Sequence, residues 1–111
     1  MGVDDLILEG VGAGAVGWIA GLVNALPRES VRLFELAAAG KSDEARSLYA
    51  WFLPLLRLDV VPKFVQLIKL TQQEAGCGSE RVRPPRLPLE GPEREEALTL
   101  IRESLRTRPK I

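Results

Sequence analysis

Lys63 and Lys69 are the candidate nucleophiles of this chain, because the sequence pattern places both on or near apolar helix faces. A desolvated lysine has a depressed pKa and can form a Schiff base with a carbonyl substrate. We favour the more ordinary interpretation, in which the stem covers apolar surface and the ammonium stays in water. Tyr49 has no visible catalytic partner, and we expect Asp4 and Asp5 to cap a helix rather than to transfer protons. No complete catalytic constellation is present.

A glycine pattern near the N-terminus fits the dinucleotide fingerprint G-x-G-x-x-G, at Gly12-Ala-Gly14-Ala-Val-Gly17. The fingerprint binds a cofactor when it follows a strand and opens a helix. Here a helix-like segment precedes it and a strand-like segment follows it, so we expect glycines that pack a turn. Glycines this dense also suggest that something approaches the backbone closely. We therefore predict no cofactor.

The Arg- and Pro-rich loop 77–91 has two interpretations. Pro85 and Pro88 form a P-x-x-P that an SH3-type groove could bind. Alternatively, the loop is a rigid connection whose apolar side chains pack onto the helices, and we favour this because those side chains recur at regular intervals. They are Val82, Leu87 and Leu89.

The composition excludes several classes of function. The chain has 111 residues, with fifteen basic and fifteen acidic side chains and no histidine. The absence of histidine excludes Ser-His-Asp and Cys-His catalysis and removes the usual nitrogen ligand for zinc, so we predict no metal site. The balanced charges give no field that would attract nucleic acid or an anionic membrane. The single cysteine, Cys77, and an acidic N-terminus without an export signal predict a cytoplasmic protein.

Hydrophobic periodicity predicts helices that would position these residues. We expect a short helix or turn over 1–10, and helices over 27–39, from Ser42 to a kink or early end at Pro54, from Pro62 to about 74, and over 92–106. Ser42 would cap the second of these long helices. The apolar face of the helix over 27–39 would consist of Val31, Phe34, Ala37 and Ala38. That of the next helix would consist of Ala45, Leu48, Phe52, Leu55 and Leu56.

The segment from Gly10 to Pro27 carries no ionisable side chain. It is at the short limit for a membrane helix and too rich in glycine, so we predict no membrane insertion. Val16–Val23 is short, continuously apolar and contains β-branched residues, which predicts a buried strand. A lone strand among helices has no partner for its backbone groups. Either the segment is helical in this chain, or it originates in a sheet whose other strands lie outside the chain, and we favour the second.

Several short motifs, taken in order, resemble the C-terminal part of the dihydrodipicolinate synthase / N-acetylneuraminate lyase family. The resemblance covers nearly the whole chain, and its specificity comes from the order and spacing of the motifs. The matching residues are Gly17-Trp-Ile-Ala20 with Asn24, Ala37–Gly40 with Glu44-Ala-Arg46, Val61-Pro62-Lys63, and Arg86-Leu-Pro-Leu89. Within the family, the runs over 14–21 and 79–89 are most similar to the branch that deaminates 1-pyrroline-4-hydroxy-2-carboxylate.

The resemblance implies a (β/α)8 TIM barrel followed by a helical extension, with this chain beginning near the end of the seventh strand. The expected fold class is mainly α, with the last strand and helix of the barrel in 1–40 and the helical extension, including loop 77–91, in 41–111. In this family a lysine on the sixth strand forms a Schiff base with a 2-oxo acid, assisted by a tyrosine from the fifth. Both precede Met1, so no catalytic residue is expected here, and Lys63 does not match the lysine motif.

One functional position carries over from the family. Ile19 matches the isoleucine of the eighth strand whose backbone lines the substrate pocket. Ala20 stands where many members have Ser, and the run 58–62, Leu-Asp-Val-Val-Pro, replaces E-x-N-P-I-P, which indicates a divergent substrate. The resemblance thus implies part of a cytoplasmic, homo-oligomeric lyase for a 2-oxo acid or imino acid, inactive as an isolated fragment. The alternative hypothesis is a stand-alone, self-associating helical interaction module without catalysis.

Overall fold

The computed structural model describes residues 1–111 and contains five α-helices and no β-strand. The helices are α1 (Ile7–Gly12), α2 (Pro27–Ala38), α3 (Ser42–Leu56), α4 (Phe64–Glu74) and α5 (Gly91–Arg106). Three 3₁₀ turns lie at Asp4–Leu6, Leu22–Asn24 and Arg57–Val60. The prediction of a mainly α chain is confirmed. No helix is both long enough and apolar enough to cross a membrane.

The helix boundaries follow local chemistry closely. α2 begins at Pro27 and is followed by Gly40, whose φ of 71° lies in the left-handed region that glycine adopts readily. α3 continues through Pro54 and ends two residues later, at Leu56, so the early end expected there is confined to the last turn. Ser42 is the first residue of α3 and not its cap, because Lys41 precedes the helix and no side chain caps its first N–H groups.

One hydrophobic core joins the five helices. It contains 19 buried apolar residues, drawn from every helix, the segment over 22–26 and Leu89 of the long loop. The predicted face of α3 is confirmed, since all five of its residues are buried. Phe52 is fully buried at the centre of this face. The core therefore depends on α3, which α2 and α5 both contact.

The apolar face predicted for α2 does not face the core, so this prediction is wrong. Leu33 and Leu36 are the buried apolar residues of this helix, whereas Val31 is 53% exposed and Phe34 is only partly buried. Successive residues of a helix turn by about 100°, so the two pairs lie on different sides of α2. The helix carries two apolar faces, of which this chain covers one.

The predicted buried strand over Val16–Val23 does not form. Ala15–Ala20 has no regular secondary structure, and the chain then enters the turn Leu22–Asn24. The prediction that this segment is buried is also wrong for its first part, because Val16 is 95% exposed and Ile19 is 85% exposed. The physical reason is the lack of neighbouring strands, since a strand exists only when its backbone groups are paired along its length.

Candidate functional site

The segment over 15–20, which contains Ile19, is held along one edge by the N-terminus. The Met1 ammonium donates to the carbonyl oxygen of Gly17 at 3.2 Å, and the N–H of Ile19 donates to the carbonyl oxygen of Met1 at 2.9 Å. This pattern places Met1 opposite Trp18, as in a parallel pair of strands. The pairing extends over one residue, which is too short to constitute a strand.

Asp4 fixes the path of the chain just after Ile19. Its carboxylate is fully buried and accepts the N–H of Gly21 at 3.0 Å and the N–H of Leu22 at 2.9 Å. We predicted that Asp4 and Asp5 cap a helix. Asp4 caps the 3₁₀ turn Leu22–Asn24 instead of its own turn, which has no side-chain cap. A carboxylate suits this position because the first N–H groups of a helical turn are otherwise unpaired.

A second carboxyl group, that of Asp59, approaches the same point. A Cβ added to Gly21 would lie 2.1 Å from Asp59 Oδ1, so a larger residue there would displace the Asp59 side chain. Burial raises the pKa of Asp59 to about 6, and the charge of Asp4, a hydrogen bond with Asp4 and the charge of Asp5 act in the same direction. The close approach that the glycine density suggested is therefore found at Gly21, and also at Gly10, where an added Cβ would lie 2.8 Å from Met1 Sδ.

The dinucleotide fingerprint is not built as a phosphate-binding loop. A Cβ added to Gly12, Gly14 or Gly17 would meet nothing within 4 Å, so no group approaches the backbone there. Gly14 alone needs to be glycine, because its φ is 106°. α1 ends at Gly12, the first glycine of the pattern, and the next α-helix begins only at Pro27, so these glycines do not lie at the N-terminus of an α-helix.

The two candidate lysines make no catalytic arrangement. Lys63 Nζ donates to Glu93 Oε1 at 2.9 Å in an exposed ion pair. Lys69 is partly buried on α4, and its ammonium group forms no hydrogen bond within the chain. Both placements agree with the ordinary interpretation, in which the lysine stem packs on the helix and the ammonium reaches water.

The Tyr49 hydroxyl makes contacts that hold the fold together. Its hydroxyl donates to the carbonyl oxygen of Asp5 at 2.6 Å and also lies 3.0 Å from Glu9 Oε2, so it joins α3 to the N-terminal turn and α1. Burial raises its pKa above the ordinary value of 10.0, and the neighbouring Glu9 carboxylate raises it further. A tyrosine with a raised pKa holds its proton at neutral pH and is poorly suited to acid–base work.

The loop over 77–91 packs onto the helices through part of its predicted apolar set. Leu89 is buried and Val82 is half-buried, but Leu87 is 69% exposed. The backbone of Leu87 is nevertheless anchored, because Gln66 Nε2 donates to its carbonyl oxygen at 2.9 Å. The rigid-connection interpretation therefore holds for Val82 and Leu89, and it is wrong for the side chain of Leu87.

Ile19 lies at the surface of the chain. Its N–H is bound to Met1, while its carbonyl oxygen accepts no hydrogen bond from the chain. No group of three or more Cys, Asp or Glu side chains lies close enough together to hold a metal ion. The arrangement can thus present the backbone of Ile19 to another molecule, and it contains no nucleophile placed beside it.

Sequence comparison identifies the family. A sequence profile of the Dihydrodipicolinate synthetase family matches residues 1–104. This chain therefore belongs to that family, and the resemblance inferred from the motifs is confirmed.

Curated relatives include two kinds of enzyme. A probable mitochondrial 4-hydroxy-2-oxoglutarate aldolase of Emericella nidulans is 34% identical over 96 residues, which are 86% of this chain and 30% of the relative. A 4-hydroxy-tetrahydrodipicolinate synthase of Methanopyrus kandleri is 32% identical over 105 residues, which are 95% of this chain and 34% of the relative. The corresponding synthase of Methanococcus maripaludis is 31% identical over 84 residues, 76% of this chain and 29% of the relative. The chain thus spans about a third of the length of the curated relatives it matches.

Proposed function

We propose that this chain is the C-terminal part of a Schiff-base-forming lyase of the (β/α)8 type. Residues 1–40 would supply the last strand and helix of the barrel, and residues 41–111 would form the helical extension with the loop over 77–91. The family match over 1–104 and the coverage of about a third of each relative support this assignment. The substrate would be a 2-oxo acid or a pyrroline carboxylate, and no cofactor is needed for Schiff-base chemistry.

The observation that carries the proposal is the pairing of Met1 with Trp18. The two residues pair in parallel, and α1 lies between them in the chain. Parallel strands require a crossover of a dozen or more residues, usually through a helix, and repeated units of this kind build a (β/α)8 barrel. The single parallel pair and the helical connection in the N-terminal part of this chain support its origin in one such unit.

Ile19 is the residue through which the chain would reach the substrate. Its carbonyl oxygen is free of hydrogen bonds and its side chain is 85% exposed, so its backbone is available to line a pocket formed with other strands. The Schiff-base lysine and the assisting tyrosine would come from the part of the enzyme outside this sequence. The isolated chain would be inactive, because a positioned nucleophile and acid–base groups supply most of the rate.

Borohydride trapping with pyruvate tests this proposal in two arms. The isolated chain should give no covalent adduct by mass spectrometry on any of its four lysines, Lys41, Lys63, Lys69 and Lys110, while the full-length Methanopyrus kandleri relative serves as the positive control. In the second arm, this chain replaces the matching segment of that relative, and the folded chimera should be trapped by pyruvate. An adduct on the isolated chain, or a folded chimera that gives none, would contradict the proposal.

The alternative function is a self-associating helical module without catalysis. The exposure of Val16 and Ile19 favours it, since uncovered apolar side chains promote association. Light scattering separates the alternatives, because a stable monomer with a cooperative thermal transition argues against burial by self-association. For the intact enzyme we propose a homo-oligomer in the cytoplasm, where the exposed thiol of Cys77 would stay reduced.

A further inference from the structure

Two carboxyl groups from distant parts of the chain meet at Gly21, two residues after Ile19. The Asp4 carboxylate accepts the N–H groups of Gly21 and Leu22 at 3.0 and 2.9 Å. Asp59 reaches the same glycine from the 3₁₀ turn that follows α3, and its Oδ1 occupies the space that a Cβ of Gly21 would fill. We call this arrangement of Asp4, Gly21 and Asp59 the Gly21 contact.

The Gly21 contact lies between a buried part of the chain and an exposed one. Leu22 is fully buried, and Ile68 of α4 also lies close to the glycine, since an added Cβ would be 3.1 Å from its Cδ1. Ile19 is exposed, and only Ala20 separates it from Gly21. Because peptide units are planar, few dihedral angles lie between Gly21 and Ile19, so a shift of the glycine would also move the backbone of Ile19.

The charge of Asp59 controls how the two carboxyl groups pack at the Gly21 contact. A neutral Asp59 can donate its proton in a hydrogen bond to Asp4, whereas an ionised Asp59 cannot donate and its charge repels that of Asp4. Burial raises the pKa of Asp59 to about 6, and Asp4 and then Asp5 raise it further. α3 and α4 also pack against the turn of Asp59, and neither presents a charged group that acts on it. We therefore expect the contact to loosen as Asp59 ionises.

We propose that Asp59 is a positioning residue for the substrate pocket. Through Gly21 and Asp4 its neutral form holds the backbone of Ile19 in the position that binds a 2-oxo acid, and its ionised form lets this backbone shift. Binding of the 2-oxo acid would then weaken as the pH rises. This inference rests on the proposed function, and it adds a residue and a form of regulation to the pocket. Asp59 lies in the run 58–62, where this chain departs from the family motif, so that motif does not account for the role.

The test uses the chimera of the previous section, in which this chain replaces the matching segment of the Methanopyrus kandleri relative. At pH 5.5 and 7.5 we would measure the maximal initial rate of borohydride trapping and the pyruvate concentration that gives half of it. Asp59→Asn is the neutral reference, because it keeps the size of the side chain and cannot ionise. Relative to Asp59→Asn, the half-saturating concentration of the unmodified chimera should rise about threefold or more between the two pH values, with no such change in the maximal rate.

Two further variants separate positioning from a general effect on stability. Asp59→Ala removes the carboxyl group from Gly21, so its half-saturating pyruvate concentration should exceed that of Asp59→Asn about threefold or more at both pH values. Asp43→Asn is the matched control. Asp43 is fully exposed on α3, so this variant should follow the unmodified chimera at both pH values. Circular dichroism checks that each variant is folded.

Two outcomes overturn the inference: Asp59→Asn and the unmodified chimera change in parallel with pH, or Asp59→Ala binds pyruvate as tightly as Asp59→Asn. A lower melting temperature with an unchanged half-saturating concentration is the second of these outcomes, and it is what a purely structural contact would give. If the chimera is trapped and either outcome occurs, the positioning role alone is refuted. A folded chimera that is not trapped at either pH would refute the proposed function as well.

Discussion

Asp59 and Asp4 bring their carboxyl groups together at Gly21, and only one of the two is held by backbone donors. Asp4 accepts the N–H groups of Gly21 and Leu22, whereas Asp59 accepts a hydrogen bond from neither. Burial of Asp59 and the nearby charge of Asp4 both disfavour the ionised form of Asp59, so the pKa of Asp59 is raised. Asp59 lacks such backbone donors. Asp59 is therefore the carboxyl group that we expect to be protonated when the two lie in contact.

We expect the free energy of unfolding to fall as the pH rises from about 5 to 7.5. The pKa of Asp59 is about 6 in the folded chain, against an ordinary value of 3.8, so the folded state binds more protons than the unfolded state in this window. The stability linked to the proton is fully present below the unfolded pKa and is lost as the pH rises through the folded pKa. After allowance for partial solvent exposure, the loss should be about 1 kcal/mol.

Urea denaturation at both pH values measures this effect. Asp59→Asn should abolish the decline between pH 5 and 7.5, because the amide does not ionise. Asp43→Asn is the matched control, since Asp43 is fully exposed and its replacement should leave the decline intact. Equal declines in the wild type and in Asp59→Asn would show that protonation of Asp59 is not the cause of the decline.

The sequence predicts which face of a helix is buried only when the helix has a single apolar face. In α3 the five residues of the predicted apolar face recur with the helical period and all five are buried, so pattern and packing agree. In α2 the pattern is ambiguous, because Leu33 and Leu36 lie on one side and Val31 and Phe34 on another. Which side becomes the core depends on the elements that fold against it, and periodicity carries no information about them.

The segment over Val16–Val23 shows a second limit of prediction from sequence. Apolar β-branched residues indicate a strand, but the strand requires partners that this chain supplies only at Met1. The contacts of Asp4 with Gly21 and of Asp59 with the same glycine join distant parts of the chain, so no local spacing revealed them. The role of Ile19 in substrate binding remains a prediction from the family.

Gly21→Ala should destabilise the chain by about 1–3 kcal/mol, because the new methyl group would lie 2.1 Å from Asp59 Oδ1 and 3.1 Å from Ile68 Cδ1. Gly12→Ala is the matched control, since nothing lies within 4 Å of the added carbon, and it should be neutral or stabilise by up to about 1 kcal/mol. Thermal and urea unfolding measure both.

A double variant tests the cause of that loss. Adding Asp59→Ala to Gly21→Ala should remove the clash, so the two costs should be clearly less than additive. Additive costs, or a Gly21→Ala variant as stable as Gly12→Ala, would mean that Asp59 does not occupy this position.

Arg108→Met should cost about 2 kcal/mol of stability. Glu29 is almost completely buried, and Arg108 donates to its carboxylate through two guanidinium nitrogens, one of them at 3.2 Å. Removal of the guanidinium leaves a buried carboxylate unpaired, which is costly, although the partial exposure of Arg108 keeps the loss below the full range for buried pairs.

The exposed ion pair of Arg46 with Asp43 supplies the control. The two groups are 4.0 Å apart and both are well exposed, so Arg46→Met should change the stability by about 0.5 kcal/mol or less. Glu29→Gln combined with Arg108→Met should recover part of the loss by removing the unpaired charge. A loss for Arg108→Met no larger than that for Arg46→Met would be evidence against a buried ion pair.

Tyr49 should hold its proton well above pH 10 for as long as the chain stays folded. Burial and the Glu9 carboxylate raise its pKa in the folded chain, so the stability that its hydroxyl provides persists at neutral pH and is lost as the pH rises above the unfolded value of about 10. It is the chain's only tyrosine, so phenolate absorbance near 295 nm reports this group alone. The absorbance should rise together with the loss of helical circular dichroism.

Tyr49→Phe should destabilise the chain by about 1–2 kcal/mol at pH 7, because it leaves the carbonyl oxygen of Asp5 without its donor. A phenolate signal that appears near pH 10 in the fully folded chain would contradict the burial of this hydroxyl between α3 and the N-terminal turn.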